Sequence, residues 1–359
     1  MPASSEVPST MRAAVYRGES VVTVEEVATP QIGEGELLIR VEACGVCHTD
    51  LKKVEYNLLP PPRIYGHETA GVVAQVGSAV KDYRAGDRVI VFHHIPCREC
   101  FYCQRKLYAQ CPVYKKVGVT AGFEPAGGGF SQYVRVMDWI VRDGVERIPS
   151  GVSFEQASFV EPLNTCLKAV HTSGAAPGEV ALVIGQGPIG LLFTMLLADR
   201  GVRVIASDTI ASRLALSLQC GAEASFHPRS SDIAFELKSR TEGRGADLVF
   251  VATAAKGLVE QAVAVSRPGA KICLFAQTSD KERIELSGAA VCVGERTLFG
   301  SYSASVDLQK ESAALVFGNR LPVARLISHR MPLARINEAF NLATHPTGES
   351  LKVIVECNK

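Results

Sequence analysis

Four cysteines in the first third of the chain have the spacing of a metal site. They follow the pattern C-x2-C-x2-C-x7-C and are Cys97, Cys100, Cys103 and Cys111. Four thiolates at this spacing can close around one tetrahedral zinc ion. Because a closed four-thiolate shell leaves no position for a substrate, we expect this zinc to stabilise a loop, residues 94–114, and to carry no chemistry. The catalytic groups must therefore lie elsewhere.

A second group of metal-ligating residues stands in the motifs ACGVCHTDL and GHETAG. Cys47 and His67 are the first two predicted ligands of a catalytic zinc, which needs about three protein ligands and one open position. Glu161, in VEPL, can complete the shell directly or through water, or it is instead an acid at a helix N-terminus. Glu68 is a further candidate, as an alternate ligand or as a base beside the metal.

Two more residues of the first motif have predicted roles beside this zinc. Asp50 accepts a hydrogen bond from the imidazole of His67 and fixes its tautomer, or it caps a helix instead. Thr49 places a hydroxyl next to the oxygen of an alcohol substrate. Combined with a nucleotide site, these residues predict the oxidation of an alcohol.

The apolar strand EVALVIG runs into a glycine-rich turn and an apolar helix, the order of a dinucleotide-binding unit. The turn residues predicted to bind the cofactor are Gly185, Gly187, Pro188, Ile189 and Gly190. Asp208 ends the next strand, where its carboxylate can bind ribose hydroxyls and repel a 2'-phosphate, so the sequence predicts NAD over NADP. Arg213 leaves an alternative open, because it can contact that phosphate or lie next to the adenine.

These motifs lie in regions of different character. Residues 11–156 contain short strands broken by glycine, which predicts an antiparallel, barrel-like domain. In residues 157–297, strands that are apolar throughout alternate with helices, which predicts an α/β, doubly wound parallel sheet. We expect residues 298–359 to fold back onto the first domain and make it discontinuous, and residues 1–10 to form a flexible tail.

Composition excludes several classes of protein. The chain has 359 residues and a formal net charge of +1, so it offers no broad basic surface for nucleic acid or an anionic membrane. The N-terminus lacks the features of a signal peptide, and no apolar run is long enough to span a bilayer. The 11 cysteines cluster partly at ligand spacing, which favours a reducing, cytoplasmic location over a disulfide framework.

As a set, the motifs resemble those of the zinc-dependent medium-chain alcohol and polyol dehydrogenases, over essentially the whole chain after residue 10. The resemblance is carried by GHE followed by GxVxxVG (66–77), GDRV (86–89), the four-cysteine loop, EPL and GxGPIG. It implies a GroES-like β-barrel catalytic domain, a Rossmann NAD-binding domain and an active site in the cleft between them. It also implies two zinc ions per chain, one catalytic and one structural, and a homodimer or homotetramer.

Carried over onto this sequence, the family's catalytic zinc positions correspond to Cys47, His67 and Glu161, its neighbouring glutamate to Glu68 and its proton-relay hydroxyl to Thr49. Glutamate in EPL, where the ethanol-oxidising branch has cysteine, is typical of the sorbitol and threonine dehydrogenase branch. The implied reaction is the oxidation of a secondary alcohol or polyol to the ketone, in which a zinc-bound alkoxide transfers hydride to nicotinamide.

Several points stay open at this stage. Many relatives have histidine where this chain has Lys52, so the outer end of the proton relay is Lys52, His48 or a bound water. An L-threonine or amino-alcohol dehydrogenase is the alternative function, and a zinc-bearing binding protein without catalysis is a third. The sequence does not name the substrate; its pocket is expected near four aromatic residues, Tyr56, Phe123, Trp139 and Tyr302. His93 and His94, in HHIPC, are expected to be packing or surface residues.

Overall fold

The computed structural model describes residues 7–114, 116, 118–123, 127–276 and 283–359. Of the predicted N-terminal tail, residues 1–6 lie outside the described residues, and the first strand begins at Thr10. Within the described ranges, no helix combines the length and apolar character needed to cross a membrane.

Strands dominate both ends of the chain, and helices alternate with strands in the middle. The strands of the described residues are β1 Thr10–Gly18, β2 Val21–Ala28, β3 Leu37–Gly45, β4 Glu68–Val76, β5 Arg88–Val91, β6 Val119–Thr120, β7 Tyr133–Val136, β8 Val145–Arg147, β9 Val180–Ile184, β10 Arg203–Ser207, β11 Ala224–Phe226, β12 Ala246–Val251, β13 Ser266–Leu274, β14 Thr297–Gly300, β15 Ile327–Pro332 and β16 Lys352–Glu356. The α-helices are α1 His48–Glu55, α2 Asp138–Asp143, α3 Phe154–Ala157, α4 Val160–Ser173, α5 Pro188–Asp199, α6 Ala211–Gln219, α7 Ile233–Arg240, α8 Leu258–Val265, α9 Gly288–Cys292, α10 Gln309–Phe317 and α11 Ile336–Thr344.

The chain divides into two compact units. The first comprises Met1–Glu161 and Ser305–Lys359, and the second comprises Pro162–Ala304. The domain limits expected from the sequence, between 156 and 157 and between 297 and 298, stay predictions.

The first unit is built on a largely antiparallel sheet with the order β15-β16-β3-β4-β5-β8, to which β7 adds at β3 and β6 at β7. Strands β1 and β2 form a separate antiparallel pair. The C-terminal strand β16 pairs antiparallel with β3 and places Ile354 opposite Gly45. Because β3 also pairs with β4, which places Gly45 opposite Glu68, the last strand of the chain lies close to the residues of the GHETAG motif.

The second unit is a parallel sheet of six strands with the order β11-β10-β9-β12-β13-β14. Numbered from β9, this is the order 3-2-1-4-5-6 of dinucleotide-binding folds. Every residue of β9 is buried, and helix α5 is buried from Gly190 to Leu197. Both observations are typical of a parallel sheet covered on its faces by helices. The predicted doubly wound sheet is confirmed.

Candidate active site and metal centres

Three of the predicted metal-ligating residues converge in the first unit. Cys47, His67 and Glu68 each offer one ligand atom, and these atoms all lie within 4.8 Å of one another. Cys47 immediately precedes α1 and Glu68 is the first residue of β4, so a helix start and a strand start deliver the donors. A thiolate, an imidazole and a carboxylate make a donor set typical of a catalytic zinc with an open position. The residues present therefore fit the ion.

Asp50 lies behind His67. Its Oδ1 is 3.0 Å from Nδ1 of His67, and its side chain is fully buried in the first turn of α1. Burial disfavours both charged forms, yet the contact between the two residues lowers the pKa of Asp50 and raises the pKa of His67 well above its ordinary value. A carboxylate at Nδ1 favours the tautomer that leaves Nε2 available to a metal. The contact matches the expectation for Asp50, whose orienting role stays a prediction.

A lysine from the last strand reaches the same place. Lys352 forms a buried ion pair with Oε2 of Glu68, and its Nζ donates to the carbonyl of Val46 at 3.0 Å. Burial alone would lower the pKa of Lys352, but Glu68 and Cys47 raise it above its ordinary value. The pair occupies the space next to Gly45, where an added Cβ would lie 2.0 Å from Oε2 of Glu68. A side chain at position 45 would therefore displace this carboxylate.

The other predicted residues of this site lie on two helices, α4 and α1. Glu161 lies in the first turn of α4, outside the set of ligand atoms within 4.8 Å formed by the described residues. Burial raises the pKa of Glu161 to about 7, with an opposing contribution from His67 and a further increase from Glu68. Thr49 lies in the first turn of α1 with an exposed side chain, and Lys52, one turn further on, is half-buried.

A row of rings extends away from His67. The ring centroids are 4.8 Å apart for His67 and His93, 3.8 Å for His93 and His94, and 4.9 Å for His94 and Tyr114. Burial and neighbouring charged groups lower the pKa of His93 well below its ordinary value and that of His94 to about 3. Both imidazoles are therefore neutral near pH 7.

The four cysteines of the predicted structural site also converge. Their Sγ atoms lie within 4.8 Å of one another. Sγ of Cys97 is 3.9 Å from that of Cys103 and 3.5 Å from that of Cys111. A tetrahedral zinc with Zn–S bonds of about 2.3 Å holds its sulfurs about 3.8 Å apart. The spacing of the thiols therefore fits one zinc ion.

Backbone groups favour ionisation of one of these thiols. Burial opposes ionisation of Cys111, but the N–H groups of Cys97 and Tyr114 lower the pKa of its thiol to about 6. Burial and the neighbouring thiols raise the pKa of Cys103 to about 12. A divalent ion bound by these cysteines would favour their thiolate forms.

The glycine-rich turn of the second unit lies between β9 and α5. Gly185 has φ = +90°, a conformation that favours glycine. An added Cβ at Gly190 would lie 1.7 Å from the carbonyl oxygen of Gly185, so helix and turn pack without room for a side chain. Gly187 precedes Pro188 at the helix N-terminus, and the nearest atom to an added Cβ there is Nη1 of Arg213 at 3.8 Å. This helix end is suited to a pyrophosphate.

Asp208 also forms hydrogen bonds with the backbone of this turn, a role that the sequence did not predict. Its Oδ2 accepts a hydrogen bond from the backbone N–H of Gln186 at 2.5 Å, and its Oδ1 accepts one from Ile210 at 2.8 Å. The buried side chain of Gln186 accepts a hydrogen bond from Thr194 at 2.9 Å. Polar residues thus anchor the turn from the sheet side and the helix side.

Comparison with known proteins gives the chain its family. Residues 33–144 match the family model described as the alcohol dehydrogenase GroES-like domain, and residues 188–317 match the one described as zinc-binding dehydrogenase. The chain is 28% identical to sorbitol dehydrogenase of Bacillus subtilis, over 98% of this chain and 99% of that protein. It is 32% identical to L-threonine 3-dehydrogenase of Pyrococcus abyssi, over 74% of this chain and 75% of that protein. The chain belongs to the zinc-dependent medium-chain dehydrogenases.

A solved structure agrees with this assignment. The protein from Sinorhizobium meliloti 1021, described as a zinc-binding dehydrogenase and bound to NADP, has a TM-score of 0.87 and 28% identity, covering 97% of this chain and 100% of that one. The fold class predicted from the sequence, a GroES-like domain with a Rossmann domain, is confirmed. The protein is an alcohol or polyol dehydrogenase, an oxidoreductase acting on CH–OH donors with zinc and NAD(P).

Sequence reasoning missed Lys352 in this dehydrogenase. The residue opens the apolar run KVIVE of β16, and a lone lysine at the head of a buried strand is the signal that was available. The sequence alone could not name its partner, because Glu68 lies nearly three hundred residues earlier and meets Lys352 only through the pairing of β16 with β3.

We predict that Lys352→Met destabilises the dehydrogenase by about 3–5 kcal/mol, because it leaves the carboxylate of Glu68 buried without its counter-ion. The urea midpoint measured by circular dichroism should fall, and the double variant Lys352→Met, Glu68→Gln should recover part of the loss. Lys359→Met is the matched control, since it removes an exposed lysine paired with Glu356; its midpoint should stay unchanged. A wild-type midpoint for Lys352→Met would contradict the structural role of the pair.

We predict that Cys100→Ser lowers the zinc content from two ions per chain to one and lowers the thermal midpoint, because three thiolates hold the ion less tightly than four. Zinc is measured by atomic emission after exhaustive dialysis. Cys292→Ser is the control, since Cys292 is exposed and lies outside both ligand sets. Retention of two zinc ions by Cys100→Ser would contradict the assignment of this residue.

Proposed function

We propose that this dehydrogenase oxidises a secondary alcohol or polyol to the ketone and passes the hydride to NAD. The observation that carries the proposal is the set formed by Cys47, His67 and Glu68, with Asp50 behind the imidazole. The glycine turn at the N-terminus of α5 supports the cofactor part of the proposal.

Each residue near the metal set has a distinct task. Cys47 and His67 would hold a zinc ion, which would supply a Lewis acid that lowers the pKa of an alcohol hydroxyl. Lys352 pairs with the carboxylate of Glu68 and orients it, so that Glu68 can serve as the third ligand. We propose Glu161 as the alternate ligand, as the family resemblance implies.

The proton of the alcohol leaves through side chains of α1. Thr49 accepts it at Oγ1 and donates its own proton outward. Lys52, one turn along the same helix, is our candidate for the outer end of this path, with His48 or water as alternatives. The exposed position of Thr49 supports a relay to solvent.

The cofactor is bound by the second unit. The N–H groups at the start of α5, including those near Pro188 and Ile189, bind the pyrophosphate. Asp208 accepts hydrogen bonds from the ribose hydroxyls with lone pairs that remain after its bonds to the turn, and its charge disfavours the 2'-phosphate of NADP. Arg213 lies next to Gly187, where it can contact the adenosine end of the cofactor.

An L-threonine dehydrogenase is the second candidate function. It is favoured by the relative from Pyrococcus abyssi, which bears that name and has a higher identity to this chain, 32%, than the sorbitol dehydrogenase of Bacillus subtilis, 28%. We keep the polyol assignment first because the sorbitol dehydrogenase match spans nearly the whole chain. A homodimer or homotetramer and a cytoplasmic location stay predictions.

The test is a panel of sorbitol, xylitol, 2,3-butanediol and L-threonine, with NADH formation read by absorbance. We expect turnover of at least one polyol or diol and loss of turnover after zinc chelation.

We predict that Cys47→Ser lowers kcat by at least about a thousandfold, because the Lewis acid loses its soft ligand. NADH binding, read by fluorescence titration, should stay close to wild type in Cys47→Ser. Turnover of threonine alone would favour the second candidate, and loss of NADH binding would contradict a purely catalytic role for Cys47.

We predict that Asp208→Ser lowers the ratio of kcat/KM for NAD to that for NADP by at least about tenfold, because the carboxylate that repels the 2'-phosphate is gone. Affinity for both cofactors should also fall, since Asp208 holds the N–H of Gln186. Asp232→Ser is the matched control, because Asp232 caps α7 and serine is also a good cap; its ratio should equal that of wild type. An unchanged ratio in Asp208→Ser would remove Asp208 from cofactor selection.

A further inference from the structure

The four stacked rings connect the two metal-ligating sets of the first unit. This ring row runs from His67 through His93 and His94 to Tyr114, with interplanar angles of 41°, 43° and 43° between successive rings. His67 offers a ligand atom to the first set. Tyr114 belongs to the small buried cluster that contains Cys111 of the second set. Side-chain packing is therefore continuous from one set to the other.

The position of Tyr114 depends on the four-cysteine segment, residues 97–111. Its side chain is 3% exposed, and its backbone N–H donates to the carbonyl of Cys111 at 3.1 Å. The buried cluster around it is small, so a zinc ion has to supply part of the free energy that keeps this segment folded. Loss of that ion would therefore release the outer end of the ring row.

The middle of the row is bonded to the chain that leaves this segment. The N–H of Gly118 donates to the carbonyl of His93 at 3.0 Å, and the carbonyl of Gly118 accepts from the N–H of Met137 at 2.8 Å. The imidazoles of His93 and His94 are neutral near pH 7, because burial lowers the pKa of both. Neutral rings can pack next to a metal-bound imidazole without repelling the cation.

We propose that Tyr114 and His94 are positioning residues that hold His67 in its metal-binding orientation when zinc occupies the four-cysteine segment. A ligand group that is already held in place loses less conformational freedom when it binds. Zinc in the four-cysteine segment thus slows the release of zinc from Cys47, His67 and Glu68. Because this coupling concerns retention of the metal, it goes beyond the proposed function and does not depend on the substrate.

The test measures zinc release from the full-length, zinc-loaded protein into the chelator 4-(2-pyridylazo)resorcinol, read by absorbance. The phase that disappears in Cys47→Ser belongs to the catalytic set. We expect Tyr114→Leu to speed this phase by at least about fivefold, the lower end of usual coupling between sites. Tyr114→Phe keeps the ring and should release zinc at close to the wild-type rate. An equal acceleration in Tyr114→Phe would contradict a role for the ring.

Cys100→Ser tests the same coupling without changing a ring, so it decides the question even where Tyr114→Leu does not fold. By weakening zinc binding in the four-cysteine segment, it should speed release from the catalytic set by a similar factor. Adding Tyr114→Leu to Cys100→Ser should give no further increase, because both changes interrupt one path. Independent, multiplying effects would overturn the ring row as that path, and an unchanged rate in Cys100→Ser would overturn the coupling.

Tyr83→Leu is the matched control for a general loss of stability. Tyr83 is a half-buried tyrosine of the same unit, outside the ring row, and its hydroxyl donates to the carbonyl of Val145 at 2.8 Å. Its replacement should lower the thermal midpoint and leave the rate of zinc release unchanged. An unchanged rate in Tyr114→Leu, or an equal increase in Tyr83→Leu, would overturn the coupling. Either result leaves the proposed function standing, since oxidation of the alcohol panel is measured separately.

Discussion

A buried carboxylate needs a positive partner, and the architecture of the first unit satisfies this need at Glu68. Removing a carboxylate from water costs several kcal/mol unless a cation and hydrogen bonds replace the solvent. Lys352 supplies that cation from the last strand of the chain, and Gly45 leaves the space for the pair. Because β16 pairs with β3, the return of the C-terminal segment to the first unit is what stabilises the ionised carboxylate.

The four cysteines also need a partner that stabilises buried negative charge, but that partner is different. Cys103, Tyr108, Ala109, Cys111 and Tyr114 form the small buried cluster of this segment. So small a cluster buries little apolar surface, and a metal ion has to supply part of the folding free energy. Backbone N–H groups directed at Cys111 replace a charged residue as the stabilising partner of a thiolate. The carboxylate of Glu68 is thus stabilised by a lysine from a distant strand, whereas the thiolate of Cys111 is stabilised by backbone groups of its own loop.

Much of the fold and of the candidate sites was predictable from the sequence, because the residues concerned lie close together along the chain. The four cysteines, the glycine turn and the contact of His67 with Asp50 depend on residues that lie within about twenty positions of one another, and short segments fix their geometry. The parallel sheet was predictable because strands covered on both faces are apolar throughout. Lys352 beside Glu68, the bond from Gln186 to Asp208 and the position of His93 were not, because they depend on strand register and on which face a side chain takes.

Two carboxylates near one imidazole cannot both ionise at low cost, since each opposes the charge of the other. Glu68 has Lys352 as its counter-ion, whereas burial and the charge of Glu68 raise the pKa of Glu161 to about 7. Burial thus disfavours the ionised form of Glu161. A divalent cation held by Cys47 and His67 would favour the ionised form of Glu161. Glu68 is the carboxylate that pairs with Lys352, and it lies with Cys47 and His67 in the structure.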